Sequence, residues 1–161
     1  MGTYFAHIKK YIADIFVFLF ILLFVYASVS KLVDYETFEN QLGQSPLLSA
    51  FADWVAPGVI VIELLISLLL IIEKTRLFAL FGFYTVMVLF TTYIIIILNF
   101  TDFIPCSCGG VLEQMGWTEH LVFNFGFMGL GVIAILLENK RTRLPLDTIS
   151  SRLLSRENHS G

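Results

Sequence analysis

Both cysteines of the chain fall within six residues, Pro-Cys-Ser-Cys-Gly-Gly at 105–110. Two thiols separated by one residue can close a small ring, and so short a span strains the geometry of a disulfide and makes it easier to reduce. Pro105 fixes the backbone that enters the pair, while Gly109 and Gly110 permit a tight turn and the close approach of a partner backbone. The stretch suits the presentation of sulfur for thiol–disulfide exchange. Two other chemistries use the same atoms. A static disulfide would close almost no chain and add little stability. Two thiolates with His120 as a third ligand would hold copper or zinc, although two sulfurs and one imidazole are a sparse donor set.

Glu63 is the second candidate, inside the apolar run Val-Ile-Val-Ile-Glu-Leu-Leu-Ile-Ser at 59–67. A carboxyl at that depth costs several kcal/mol unless it is neutral or paired, which makes it a functional candidate by default. It either handles protons or joins helices through hydrogen bonds, with Ser67 one turn away. His120 opens the last apolar run a few residues beyond the cysteines and could serve as a base or stabilise a thiolate. Trp117, His120 and Asn124 follow helical spacing, and Gly126, Gly129 and Gly131 offer neighbouring helices a close approach. Tyr26, Ser28, Ser30, Thr91, Thr92 and Tyr93 read as helix-to-helix contacts.

The elements that carry these groups belong in lipid. Of the 161 residues 57% are hydrophobic, and the mean hydropathy is +0.83, beyond what a water-facing surface permits. Four apolar runs, 15–30, 54–72, 77–98 and 121–137, approach or reach the roughly 20 helical residues that span a hydrocarbon core. They lack the alternation of barrel strands, so the expected fold is all-α: a polytopic four-helix bundle in one membrane domain. Nine of the ten Lys and Arg residues lie before the first run, between the second and third, or after the last. By the positive-inside rule both termini are expected to be cytoplasmic, with the cysteines facing the oxidising side. Only Lys31 falls on that outer side, among Asp34, Glu36, Glu39, Asp53, Asp102, Glu113 and Glu119. The first run resembles a signal peptide in its basic flank, but it passes Ala27 and Ser28 without a clear cleavage site and reads as a retained span.

Residues 1–14 are expected to form a short interfacial helix, and the stretch from Lys31 to Trp54 an amphipathic helix on the membrane. Asp53 is a candidate cap for the second span, with Pro57 in its first turn. Residues 138–161 read as a cytoplasmic amphipathic tail carrying Leu146, Ile149, Leu153 and Leu154. A net charge of -3 gives no reason to expect nucleic acid as a partner.

The order of these features resembles the MauE/DoxX family of redox-associated membrane proteins. The resemblance runs over about 15–138 and is carried by Ala-Ser-Val-Ser-Lys-Leu-Val-Asp at 27–34, the glutamate within span two, a short turn, and Cys-Ser-Cys-Gly-Gly before span four. It implies a four-helix membrane protein. In the MauE branch it implies disulfide formation in exported proteins, such as the small subunit of methylamine dehydrogenase, beside a periplasmic thioredoxin-like partner. In the DoxX branch it implies electron transfer toward quinone. By the resemblance Cys106 and Cys108 match the MauE cysteine pair, Glu63 the span-two glutamate, and Lys31 the lysine after span one. Ser107 and Gly110 stand where the MauE pattern usually has glycine and phenylalanine, which leaves the pair intact. The expected function is therefore a thiol–disulfide relay in the inner membrane, with quinone as a candidate acceptor and Cys106, Cys108, His120 and Glu63 as its site residues. A copper or zinc carrier and a non-catalytic accessory subunit are the rival readings.

Overall fold

The computed structural model describes residues 2–45, 48–100 and 116–157, with side chains for 8–45, 48–99, 116 and 118–141. Helix α1 spans Gly2–Val33, α2 Tyr35–Gln44, a single 3-10 turn Ser49–Phe51, α3 Ala52–Ile71, α4 Arg76–Phe100 and α5 Trp117–Glu157. No strand occurs among the described residues. Four stretches are long and apolar enough to cross a membrane: Ile8–Val33, Ser49–Ile71, Arg76–Asn99 and Thr118–Arg141. Large apolar side chains, among them Phe18, Leu22, Phe78, Leu89 and Phe125, point away from the bundle. Such a surface is stable only where the surrounding medium is itself apolar.

Helix ends depart from expectation. Residues 2–14 do not form a separate interfacial helix; α1 runs through them without a break. Nothing between Thr3 and Asp14 interrupts a helix, for the stretch holds neither glycine nor proline, and Asp14 finds a partner in Arg76. The backbone of α5 likewise continues from the last span to Glu157. Helix α3 starts after Phe51 with no side-chain cap, so Asp53 lies in its first turn and Pro57 one turn further in than expected. There the proline ring denies a carbonyl one turn back its usual N–H donor.

The four long helices form a square in which α1 packs on α3 and α5, and α4 packs on α3 and α5. Phenylalanines fill the centre. The Phe20 and Phe83 rings stack with centroids 4.2 Å apart, Phe24 meets Phe83 at 4.7 Å, and Phe127 of α5 approaches Phe20 at 6.2 Å. Lipid is as apolar as these rings, so their packing and offset stacking, more than expulsion of water, hold the centre together. Two glycines lie at helix contacts, each with room for a Cβ at ordinary contact distance. A Cβ at Gly82 would come within 3.4 Å of Ile66 on α3, and one at Gly131 within 3.6 Å of Phe83. Gly126 and Gly129, expected to act the same way, face open space.

Ion pairs close one end of the square. The Arg76 guanidinium donates to Asp14 Oδ1 at 2.7 Å and to the Leu70 carbonyl at 3.3 Å. Arg141 bridges Glu73 at 3.0 Å and Glu138 at 3.5 Å. The Thr75 hydroxyl donates to the carbonyls of Leu69 and Ile72, closing the turn between α3 and α4. At the opposite end α2 folds back on the first half of α3, where Phe38 and Leu42 pack with Ala52, Ala56 and Ile60.

Candidate functional site

Of the four expected site residues, Cys106 and Cys108 lie outside the described residues, in the segment that joins α4 to α5. Glu63 and His120 are described.

Glu63 sits in the middle of α3 and is almost wholly buried, with 1% of its surface exposed. It is paired. Lys31, in the last turn of α1, donates to Oε1 at 2.8 Å and to Oε2 at 3.0 Å. The Ser28 hydroxyl, nearly one turn earlier on α1 and itself fully buried, donates to Oε2 at 2.8 Å. A third, longer contact of 3.4 Å runs from the Lys31 ammonium to the Ala27 carbonyl. An ammonium has three protons to give, and three protein oxygens receive them. Ser67, expected to meet the carboxyl, instead donates to the Glu63 main-chain carbonyl at 2.8 Å.

The Lys31 ammonium also lies 5.7 Å from the ring centres of Phe38 on α2 and Phe90 on α4. Each ring offers its electron-rich face to the cation. Four helices thus meet at one charge: α1 supplies it, α3 neutralises it, and α2 and α4 enclose it. A buried pair of this kind is costly to break, because removing one partner strands the other charge, at about 3–5 kcal/mol. Both carboxylate oxygens of Glu63 are thus occupied by donors from α1.

His120 lies in the first turn of α5 and is half-buried. Its position follows from the way the helix begins. The Glu119 carboxylate reaches back to accept the Gly116 N–H at 3.1 Å, and the His120 N–H donates to the Gly116 carbonyl at 2.9 Å. This is half of a capping box, which satisfies one of the donors a helix start leaves open. The imidazole is within Coulombic reach of Lys31. No hydrogen bond or ion pair joins it to Glu63 among the described residues.

The sequence reading missed Ser28 as a ligand of Glu63 and took Lys31 for a residue of the outer loop. One signal pointed to the pair: the chain has a single acid deep in an apolar run and a single base on its acidic side.

A square of four membrane-crossing helices, held at one end by arginine bridges and tied inside by one lysine–glutamate pair, defines a multi-pass membrane protein in contact with the lipid bilayer. Residues 9–137 match the family model described as methylamine utilisation protein MauE, and the chain belongs to that family. No curated protein and no solved structure gives a significant match.

Proposed function

We propose that this MauE-family protein is a thiol–disulfide relay of the inner membrane, working through Cys106 and Cys108. The observation that carries the reading is the Cys-Ser-Cys pair inside the stretch matched to MauE, in the segment between α4 and α5. Charge supports an orientation with both termini cytoplasmic and the cysteines on the periplasmic side. The Lys and Arg residues with described side chains at one end are Lys9, Lys10, Lys74, Arg76, Lys140 and Arg141, and at the other only Lys31, already paired.

In the proposed cycle a thiolate of an exported protein attacks the Cys106–Cys108 disulfide. The ring S–S bond breaks and a mixed disulfide forms. A second thiolate of the exported protein displaces it, leaving an exported disulfide and a reduced Cys106/Cys108 pair. The same two steps, run against the disulfide of a periplasmic thioredoxin-like partner, restore the ring. Two electrons and two protons leave the exported protein and end on that partner.

Exchange between two protein partners needs no further oxidant. At the level of Glu63 a quinone finds no fitting hold, because the Ser28 hydroxyl and the Lys31 protons are committed to protein oxygens. His120, on the helix that follows the cysteines in the chain, serves as a base, and Glu63 supports the bundle by holding Lys31.

Thiol trapping in intact cells with a mass-tagged alkylator tests the relay. The wild type is expected to show a mixture of thiol and disulfide, and Cys106→Ser or Cys108→Ser to accumulate a disulfide-linked heterodimer with a thioredoxin-like or exported protein. Sulfur that stays in one state under both reducing and oxidising growth would refute it.

A further inference from the structure

At the arginine-bridged end, arginine and lysine do different work. The described acids there are Asp14, Glu73 and Glu138, and each is bridged by Arg76 or Arg141. Arg76 is buried and Arg141 half-buried, so both guanidinium groups are directed at protein. Lys9 and Lys10 on α1, Lys74 in the α3–α4 turn and Lys140 on α5 are all exposed, and none forms a salt bridge among the described residues. Among the described side chains, six cations thus face three carboxylates. The excess is gathered, since the Arg76–Asp14 and Arg141–Glu73 bridges hold α1, α4, α5 and the α3–α4 turn together, with Lys10 one turn before Asp14, Lys74 beside Glu73 and Lys140 beside Arg141.

The end of a membrane-crossing bundle lies in the headgroup layer, where the available counter-ions are lipid phosphates. Lysine suits that contact, being a compact point charge on a long flexible stem that reaches outward while its methylenes stay against apolar surface. We infer that Lys9, Lys10, Lys74 and Lys140 form a binding surface for anionic phospholipid headgroups, laid over the arginine bridges that close this end. The surface needs no contribution from the cysteines and stands whether or not the relay does.

The test uses the purified full chain in mild detergent, with phosphatidylglycerol or phosphatidylcholine added. Native mass spectrometry reads lipid retention and thermal melting reads stabilisation. The wild type is expected to retain phosphatidylglycerol preferentially and to melt higher with it, the gain shrinking in high salt. The K9Q/K10Q/K74Q/K140Q variant leaves Arg76 and Arg141 in place and is expected to lose the preference, with retention falling roughly fivefold for each lysine removed. K9R/K10R/K74R/K140R should keep it. Equal retention of the two lipids by the wild type, or an undiminished preference in the glutamine variant, overturns the inference. So does inorganic phosphate alone reproducing the melting shift, since the ligand would then be a soluble anion. Should the glutamine variant fail to fold, the wild-type preference and its salt dependence decide the question.

Discussion

Lys31 gives its three protons to oxygens inside the bundle while two phenylalanine rings cover its flanks. The pair it forms with Glu63 is expected to behave asymmetrically under mutation. Lys31→Met leaves a carboxylate buried without its counter-charge and should destabilise the protein by about 3–5 kcal/mol. Lys31→Met combined with Glu63→Leu removes both charges and should recover most of that loss. Melting of the two variants in detergent checks this as half of a double-mutant cycle. A double variant no more stable than the single one would mean that the cost comes from lost packing around Lys31 rather than from a stranded charge. Glu63 was legible in the sequence as an anomaly, because an acid in an apolar run demands a partner. Its partner was not. Lys31 is 32 positions away, and choosing it requires the register of α1 against α3, which a single sequence does not contain. Ser28 was hidden for the same reason.

Two predictions belong to the elements. Gly82 of α4 faces Ile66 of α3, where an added Cβ would already be in contact at 3.4 Å and leave no room for a longer side chain. Gly82→Leu should force the helices apart and cost about 1–3 kcal/mol. Gly126→Ala meets no neighbour and should be neutral or slightly stabilising, since alanine is the better helix former. Comparing the melting of the two variants separates a contact glycine from a lipid-facing one. The other prediction concerns pH. Glu73 lies in the turn outside the spans, and the Arg141 hydrogen bond, then the Arg141 charge, hold its carboxyl below the ordinary range. A lowered folded value means that the bridge contributes fully above the ordinary carboxylate range and is lost as pH falls through the folded value. Melting of the wild type should therefore exceed that of Glu73→Gln by a small margin at neutral pH, small because the side chain is exposed, and the two curves should merge in acid. A margin that survives into strong acid would contradict the bridge. At this scale the sequence told where helices cross the membrane and not where they end. Apolar runs mark the hydrocarbon, whereas Lys9 and Lys10 are charged, the residues beyond Arg141 mix polar with apolar, and both stretches are still helical.

Across the whole molecule, charge is sorted by end. Among the Lys and Arg residues with described side chains, six surround one end of the square and Lys31 stands at the other. With the cytoplasmic orientation proposed above, a C-terminal reporter in living cells should be active only as a cytoplasmic fusion, and a reporter inserted in the first loop only as an exported one. The reverse pattern would put the cysteines on the reducing side and remove the basis for the relay. The all-helical four-span architecture was readable from composition and pattern, because lipid leaves the backbone only helices or a closed barrel and the apolar runs lack the alternation of barrel strands. The square order of the helices was not readable, since it rests on shape at positions such as Phe20, Phe83 and Gly131.

The internal charge pair also bears on how the chain is made. As α3 leaves the ribosome and meets the translocon, a lone carboxylate halfway along it would resist entering lipid by about 3 kcal/mol. Its counter-charge was synthesised earlier, at the end of α1. The partner is thus already in the membrane when α3 arrives, pairing with it removes that cost, and a chain lacking Lys31 should insert its second span less efficiently.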